Sequence, residues 1–320
     1  MNLNVKGWRA ALLGAGTVIA VLLASCGGGE QVQEFRATRV FAFGDESSVI
    51  NADGTKYSIN ALTATGTIDC VNNALWVQGV AGLYGLVFPQ CNPNAVPGPP
   101  SRIYATVGAR AASLSAQIDQ QVNAGGFAPG DLATVLIGAN DVIDQFQQFP
   151  GVGEDQLNAN LEQAANDLAA QVNRLADLGV KVIISTVPDM GLTPFAGDPA
   201  GANAALLSRL SSNFNIKMRR GIYNDGRRIG LVLLDEYLGT VRKFGLGFVN
   251  STMAACLPSA PLPNCNTNTL GTDAAAVPPP ATPASASAAT WLWADDRHMT
   301  PAGQNSLATL AAQRAQNNPF

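Results

Sequence analysis

The chain predicts a single three-layer α/β/α domain on a parallel sheet, because strand-like and helix-like segments alternate along it. The strand-like segments are short apolar or β-branched runs bounded by turn residues, the pattern of strands buried on both faces. They cover residues 39–43, 132–137, 181–187 and 229–234. Between them Leu157, Leu161, Ala165, Leu168, Val172 and Leu175 recur at spacings of three and four, one apolar helical stripe that stops before Gly179. Leu207, Leu210, Phe214 and Met218 repeat the pattern. Near the C-terminus Thr300 can cap, and Pro301 open, a last helix carrying Leu307 and Leu310. In such folds ligand chemistry sits outside the carboxyl ends of the strands. Residues 88–100, rich in proline, and 257–289, rich in Pro, Ala, Ser, Asn and Thr, read as surface excursions.

Composition narrows the function classes. Hydrophobic residues make up 47% of the 320, enough for a large core, and disorder throughout is excluded. Charged residues are 13% and the net charge is −4, which is not the composition of a nucleic-acid-binding protein. One histidine, His298, is present, so a zinc site of several imidazoles is excluded. No metal and no cofactor is expected.

The N-terminus reads as a targeting device. Lys6 and Arg9 precede an apolar run over residues 10–23, too short for a comfortable membrane span, and small residues follow it. Leu23-Ala24-Ser25-Cys26 resembles the lipobox of bacterial lipoproteins, in which the cysteine becomes the lipidated first residue. Residues 1–25 are therefore expected to be a lipoprotein signal peptide, 26–37 a tether and 38–316 the folded domain. Removing Lys6 and Arg9 takes the net charge from −4 to −6. The expected location is the bacterial cell envelope, as an outer-membrane lipoprotein facing the periplasm or the cell surface. Export leaves Cys70, Cys91, Cys256 and Cys265 as an even set in an oxidising compartment. Of three possible connectivities, proximity favours Cys70 with Cys91 and Cys256 with Cys265.

Three short blocks carry the chemistry. The first strand runs into Gly44-Asp45-Glu46-Ser47-Ser48, the second ends in Gly138-Ala139-Asn140-Asp141, and Asp295-Asp296-Arg297-His298 lies near the C-terminus. At strand ends and in this order they resemble the SGNH hydrolases, the GDSL esterase and lipase family, with GxND at 138–141 and DxxH at 295–298. Gly108, in Tyr104-Ala105-Thr106-Val107-Gly108-Ala109-Arg110, matches the family's second-block glycine. Residues 115–119 and 187–194 look like the esterases found as autotransporter passengers. The resemblance covers roughly residues 38–316 and implies a flavodoxin-like sheet, ester hydrolysis and a monomer acting on an ester or lipid.

The implied roles follow from acyl transfer. An attacked ester carbonyl develops negative charge on oxygen, which the Gly108 N–H and the Asn140 amide would stabilise. His298 would move the proton while Asp295 fixes its tautomer. The departure is at the nucleophile: where the family has serine directly after Gly-Asp, this chain has Glu46. Four readings stand. Ser47 is the nucleophile, in a turn shifted by one residue; Ser48 serves instead; the site is silent, with Glu46 paired to His298; or the Glu46 carboxylate itself attacks. A one-residue shift at a helix start turns a side chain by about 100°, a demanding change for catalysis. The leading expectation is a membrane-tethered ester hydrolase with Ser47, Asp295 and His298 as its triad. The alternative is a catalytically silent lipoprotein of the same fold that binds an acyl or glycan ligand, and transfer to an acceptor other than water would use the same residues. Arg102 and Arg110 could contact an anionic head group, and Trp291 and Trp293 could line an acyl pocket or anchor the last block to the core.

Overall fold

The computed structural model describes residues 35–197, 201–275 and 282–317. The expected signal peptide, Cys26 and most of the expected tether lie outside the described residues. Packing begins slightly earlier than the predicted boundary at 38: Ala37 is buried, and the Phe35 ring lies edge-on to Tyr84.

Five parallel strands form the sheet: β1 (Arg39–Gly44), β2 (Arg102–Ile103), β3 (Asp131–Leu136), β4 (Lys181–Ser185) and β5 (Ile229–Val232). Their spatial order is β2-β1-β3-β4-β5, the flavodoxin-like order. The order reverses at β1, which pairs with β3 over its whole length from Arg39 opposite Asp131 to Gly44 opposite Leu136. The carboxyl ends of β1 and β3 therefore open side by side at the topological switch point, where ligands bind in such sheets.

Among the described residues seven α-helices accompany the sheet: α1 (Trp76–Leu83), α2 (Ser113–Asn123), α3 (Ala139–Phe146), α4 (Glu154–Asp177), α5 (Ala202–Gly221), α6 (Leu234–Phe244) and α7 (Pro301–Asn317). Strand alternation decides which face each residue joins. Phe41 and Phe43 of β1, with Ala133, Val135, Val182 and Ile184, meet α2, α4 and α5. Val40 and Ala42, with Leu132, Ile183 and Val232, meet α1, α6 and α7. The α4 stripe is buried as its spacing predicts, each leucine contributing about 1.5–3 kcal/mol.

Three predicted strands end early, β3 by one residue at Leu136. β4 stops at Ser185 rather than 187, the Val187 N–H and carbonyl being taken by the Asn215 side chain, and Leu234 begins α6 instead of ending β5. An apolar run at a strand-to-helix junction does not announce where the period changes. Thr300 and Pro301 stand at the start of α7, the Thr300 hydroxyl accepting from the Gly303 N–H at 3.4 Å.

Two further strands, β6 (Asn250–Ala254) and β7 (Trp291–Trp293), pair in parallel beside the main sheet and lead to the 295–298 block. Trp291 and Trp293 are fully buried, and the Trp293 indole N–H donates to the Ser251 carbonyl, so they anchor that block to the core rather than line a pocket. The disulfides Cys70–Cys91 and Cys256–Cys265 are formed, with Cα separations of 5.6 and 5.9 Å, the local pairing.

Candidate active site

The site is assembled at the carboxyl ends of β1 and β3. β1 ends in Gly44, whose φ of +132° and close approach to the Leu136 carbonyl exclude a side chain: a Cβ would lie 2.0 Å from that oxygen. The Gln117 side chain clamps the turn, accepting from the Gly44 N–H and donating to its carbonyl, both at 2.8 Å. Asp45 then caps a single 3₁₀ turn, Glu46–Ser48, by accepting from the Ser47 N–H at 3.0 Å. This turn decides the direction of the next three side chains.

Glu46 points into the site. Its Oε2 accepts from the Gly108 N–H at 2.8 Å and from the Asn140 amide at 3.2 Å, and its Oε1 lies 3.3 Å from His298 Nε2. The other ring nitrogen, Nδ1, lies 2.8 Å from Asp295 Oδ2. Asp295 is fixed in turn, its Oδ1 accepting from the N–H groups of Arg297 and His298. The residue-295 to residue-298 spacing works because this turn folds the carboxylate back onto the ring it precedes.

The serines are placed differently. Ser48 is fully buried, and its hydroxyl accepts from the Trp76 indole N–H at 3.1 Å, a bond that ties the turn to α1. Ser47 is half-buried; its backbone N–H serves the Asp45 cap, while the ring nitrogen that would face its hydroxyl in a triad faces Glu46. Of the residues the sequence singles out, the structure brings together Glu46, Gly108, Asn140, Asp295 and His298.

The electrostatics follow from burial opposed by pairing. Burial alone would lower the His298 pKa, but hydrogen bonds to Asp295 and Glu46, and their charges, push it up to about 10. Burial would raise Glu46, but the His298 hydrogen bond and charge, helped by the Gly108 N–H, hold it down at about 2. At neutral pH the site is thus an imidazolium between two carboxylates. Asp45, fully buried beside Glu46, is pushed up to about 7 by burial and by that neighbouring charge.

Several supporting residues escape a motif reading. Asp141 accepts from the Ala111 N–H at 2.9 Å and so pins the loop that carries Gly108; its place in the Gly-Ala-Asn-Asp block was the available signal. Gln117 lies in the 115–119 segment that resembles the family, which gave it no role, and Trp76 carried no signal, because its partner comes from another element. Arg110 pairs with Asp144, and Arg102 donates to the carbonyls of Pro99 and Ser101. Tyr57 lies 6.0 Å from the His298 ring, centroid to centroid, and the Phe195 N–H donates to the Asp296 carbonyl at 2.8 Å.

An Asp–His pair facing a backbone N–H and a side-chain amide is the apparatus of acyl-transfer enzymes. The model of the GDSL-like lipase/acylhydrolase family matches residues 79–310, and the chain belongs to that family. The match begins beyond the Gly44-Asp45-Glu46 turn. Among solved structures the chain is similar to an acetylxylan esterase from Geobacillus stearothermophilus, at 13% identity over 88% of this chain and 96% of that one, with a TM-score of 0.44. It is also similar to an alpha/beta hydrolase enzyme from the metagenome of Lake Arreo, Spain, at 18% identity over 89% and 98%, with a TM-score of 0.44. No curated protein sequence matches it.

Proposed function

We propose that this protein is a lipid-tethered envelope member of an ester-hydrolase family whose own hydrolytic site is held shut by Glu46, and that it acts by binding an acyl or glycan ligand. One observation carries the reading. The Glu46 carboxylate engages Gly108 N–H, Asn140 Nδ2 and His298 Nε2 together, the three groups that a serine hydrolase keeps for its substrate oxyanion and its nucleophile. An oxyanion hole filled by a carboxylate has no donor left for a tetrahedral intermediate. An imidazolium held to about 10 is a poor proton acceptor at neutral pH.

Cleavage of carboxylic esters through Ser47 is the second reading, favoured by the intact Asp295–His298 pair and by the half-exposed position of Ser47. It requires Glu46 to leave the hole and the turn to present Ser47 in its place. Tethering through Cys26, a place in the outer membrane and a monomeric state belong to both readings.

The test is labelling of the mature chain with a fluorophosphonate, followed by peptide mapping, alongside turnover of a short chromogenic ester. The closed-site reading expects no adduct on residues 44–48 and no turnover above a heat-denatured control. An adduct on Ser47 with matching turnover overturns it in favour of hydrolysis.

A further inference from the structure

The turn that follows α6 presents large apolar side chains to solvent. Phe244 is 67% exposed, Leu246 49% and Val249 73%, all within six residues. Arg242 and Lys243, in the last turn of α6, are exposed and take part in none of the ion pairs among the described residues. The Lys243 ammonium sits 5.1 Å from the Phe244 ring centroid. The acidic residues of α6, Asp235 and Glu236, stand at its opposite end, where Arg219 pairs with both. The loop is therefore apolar at its tip and positive at its base.

Its backbone is unusual as well. Gly245 and Gly247, at φ +78° and +90°, bracket Leu246, which is itself held at φ +44°, a conformation that costs a side-chain-bearing residue energy. About half of the leucine stays exposed all the same. Strain retained at an exposed position points to presentation of the side chain rather than to packing.

We propose that residues 242–249 dock on a lipid bilayer, with Phe244, Leu246 and Val249 entering the boundary between head groups and acyl chains and Arg242 and Lys243 on the lipid phosphates. The proposal rests on the tether reading of Cys26. That residue precedes Phe35 by nine positions, a contour of at most about 30 Å, so a lipid there confines the domain to the bilayer surface. Confinement raises the effective concentration of the loop at the membrane, and a contact too weak to recruit a free protein then suffices to orient a tethered one. The α6 N-terminus abuts the end of β4 through the Asp235 N–H and the Thr186 hydroxyl, and the helix carries the chain about 15 Å from there to Phe244. The docking loop and the pole of the sheet that bears the site thus lie at opposite ends of α6.

The test uses the lipidated chain in vesicles of phosphatidylethanolamine and phosphatidylglycerol, with an environment-sensitive fluorophore at Leu246→Cys or, as a control, at Ile216→Cys, which is 45% exposed on α5. Nitroxide-labelled lipids are expected to quench the first at least fivefold more than the second. The excess should disappear in Phe244→Ser/Val249→Ser and shrink in Arg242→Gln/Lys243→Gln. Equal quenching at both positions in a membrane-bound chain overturns the docking and leaves the tether standing. A wild-type chain recovered without lipid on Cys26, in the soluble fraction, overturns the tether and the proposal together. An excess that survives the apolar double variant overturns the assignment to these side chains.

Discussion

Replacing Glu46 by serine should open the site and create activity. In the wild type both donors of the hole are spent on Glu46 Oε2 and the base on Oε1. Each oxyanion donor is worth about 10²–10³ in turnover, equivalent to roughly 3–4 kcal/mol. Releasing both, and supplying a hydroxyl at the position the turn aims toward His298, should raise hydrolysis of a short chromogenic ester by at least about 10³-fold. Glu46→Ala, which frees the hole without adding a nucleophile, should fall between wild type and Glu46→Ser. With one carboxylate gone, His298 keeps only Asp295 and its pKa drops below about 10, so the new activity should rise with pH as the imidazole loses its proton. The loss of stability should stay below about 3 kcal/mol, because His298 remains paired, and thermal melts of the three proteins check this. A wild type faster than Glu46→Ser would refute the reasoning, since Glu46 or Ser47 would then be productive. Equal rates for the alanine and serine variants would refute the placement of the nucleophile.

Stability should fall as pH rises. His298 is raised from 6.5 to about 10 in the folded state, so its contribution is complete below about 6.5 and lost as pH rises through about 10; Asp45, raised from 3.8 to about 7, acts in the same direction at lower pH. Glu46, lowered to about 2, contributes above 4.5 and fails only as pH falls through about 2. Lys56, lowered by burial to about 8, acts in the opposite direction above about 8, so urea denaturation at pH 6, 7 and 8 should show the decline, and Glu46→Gln should flatten it. Ser48→Ala strands the buried Trp76 N–H and should cost about 1–3 kcal/mol in the same assay, leaving fluorophosphonate labelling unchanged. Cys91→Ser removes the bridge to Cys70 across 21 positions and should lower stability by about 3 kcal/mol, read from denaturant midpoints.

Much of this architecture is written locally. Apolar continuity located β1, β3, β4 and β5, and the period of Leu157 to Leu175 located α4, since both signals depend only on neighbours in the chain. β2 left no trace, being two residues that become a strand only by pairing with Phe41 and Ala42 of β1. α2 was hidden because part of its buried face is polar: Gln117 and Gln121 turn inward to serve backbone groups and Tyr104. The site divides in the same way. Asp295 and His298 are legible because three residues of sequence set their geometry. Where the Glu46 carboxylate ends up depends on donors 62 and 94 positions away, and local spacing says nothing of such partners.

The imidazole of His298 is the only one in the chain, and it lies between the two carboxylates of the site. In a proton spectrum the histidine ring signals of the whole protein therefore come from a single reporter, with no assignment or isotopic labelling of individual residues required. Ligand binding, release of Glu46 or a change in protonation would each be read directly from one pair of resonances in the intact protein.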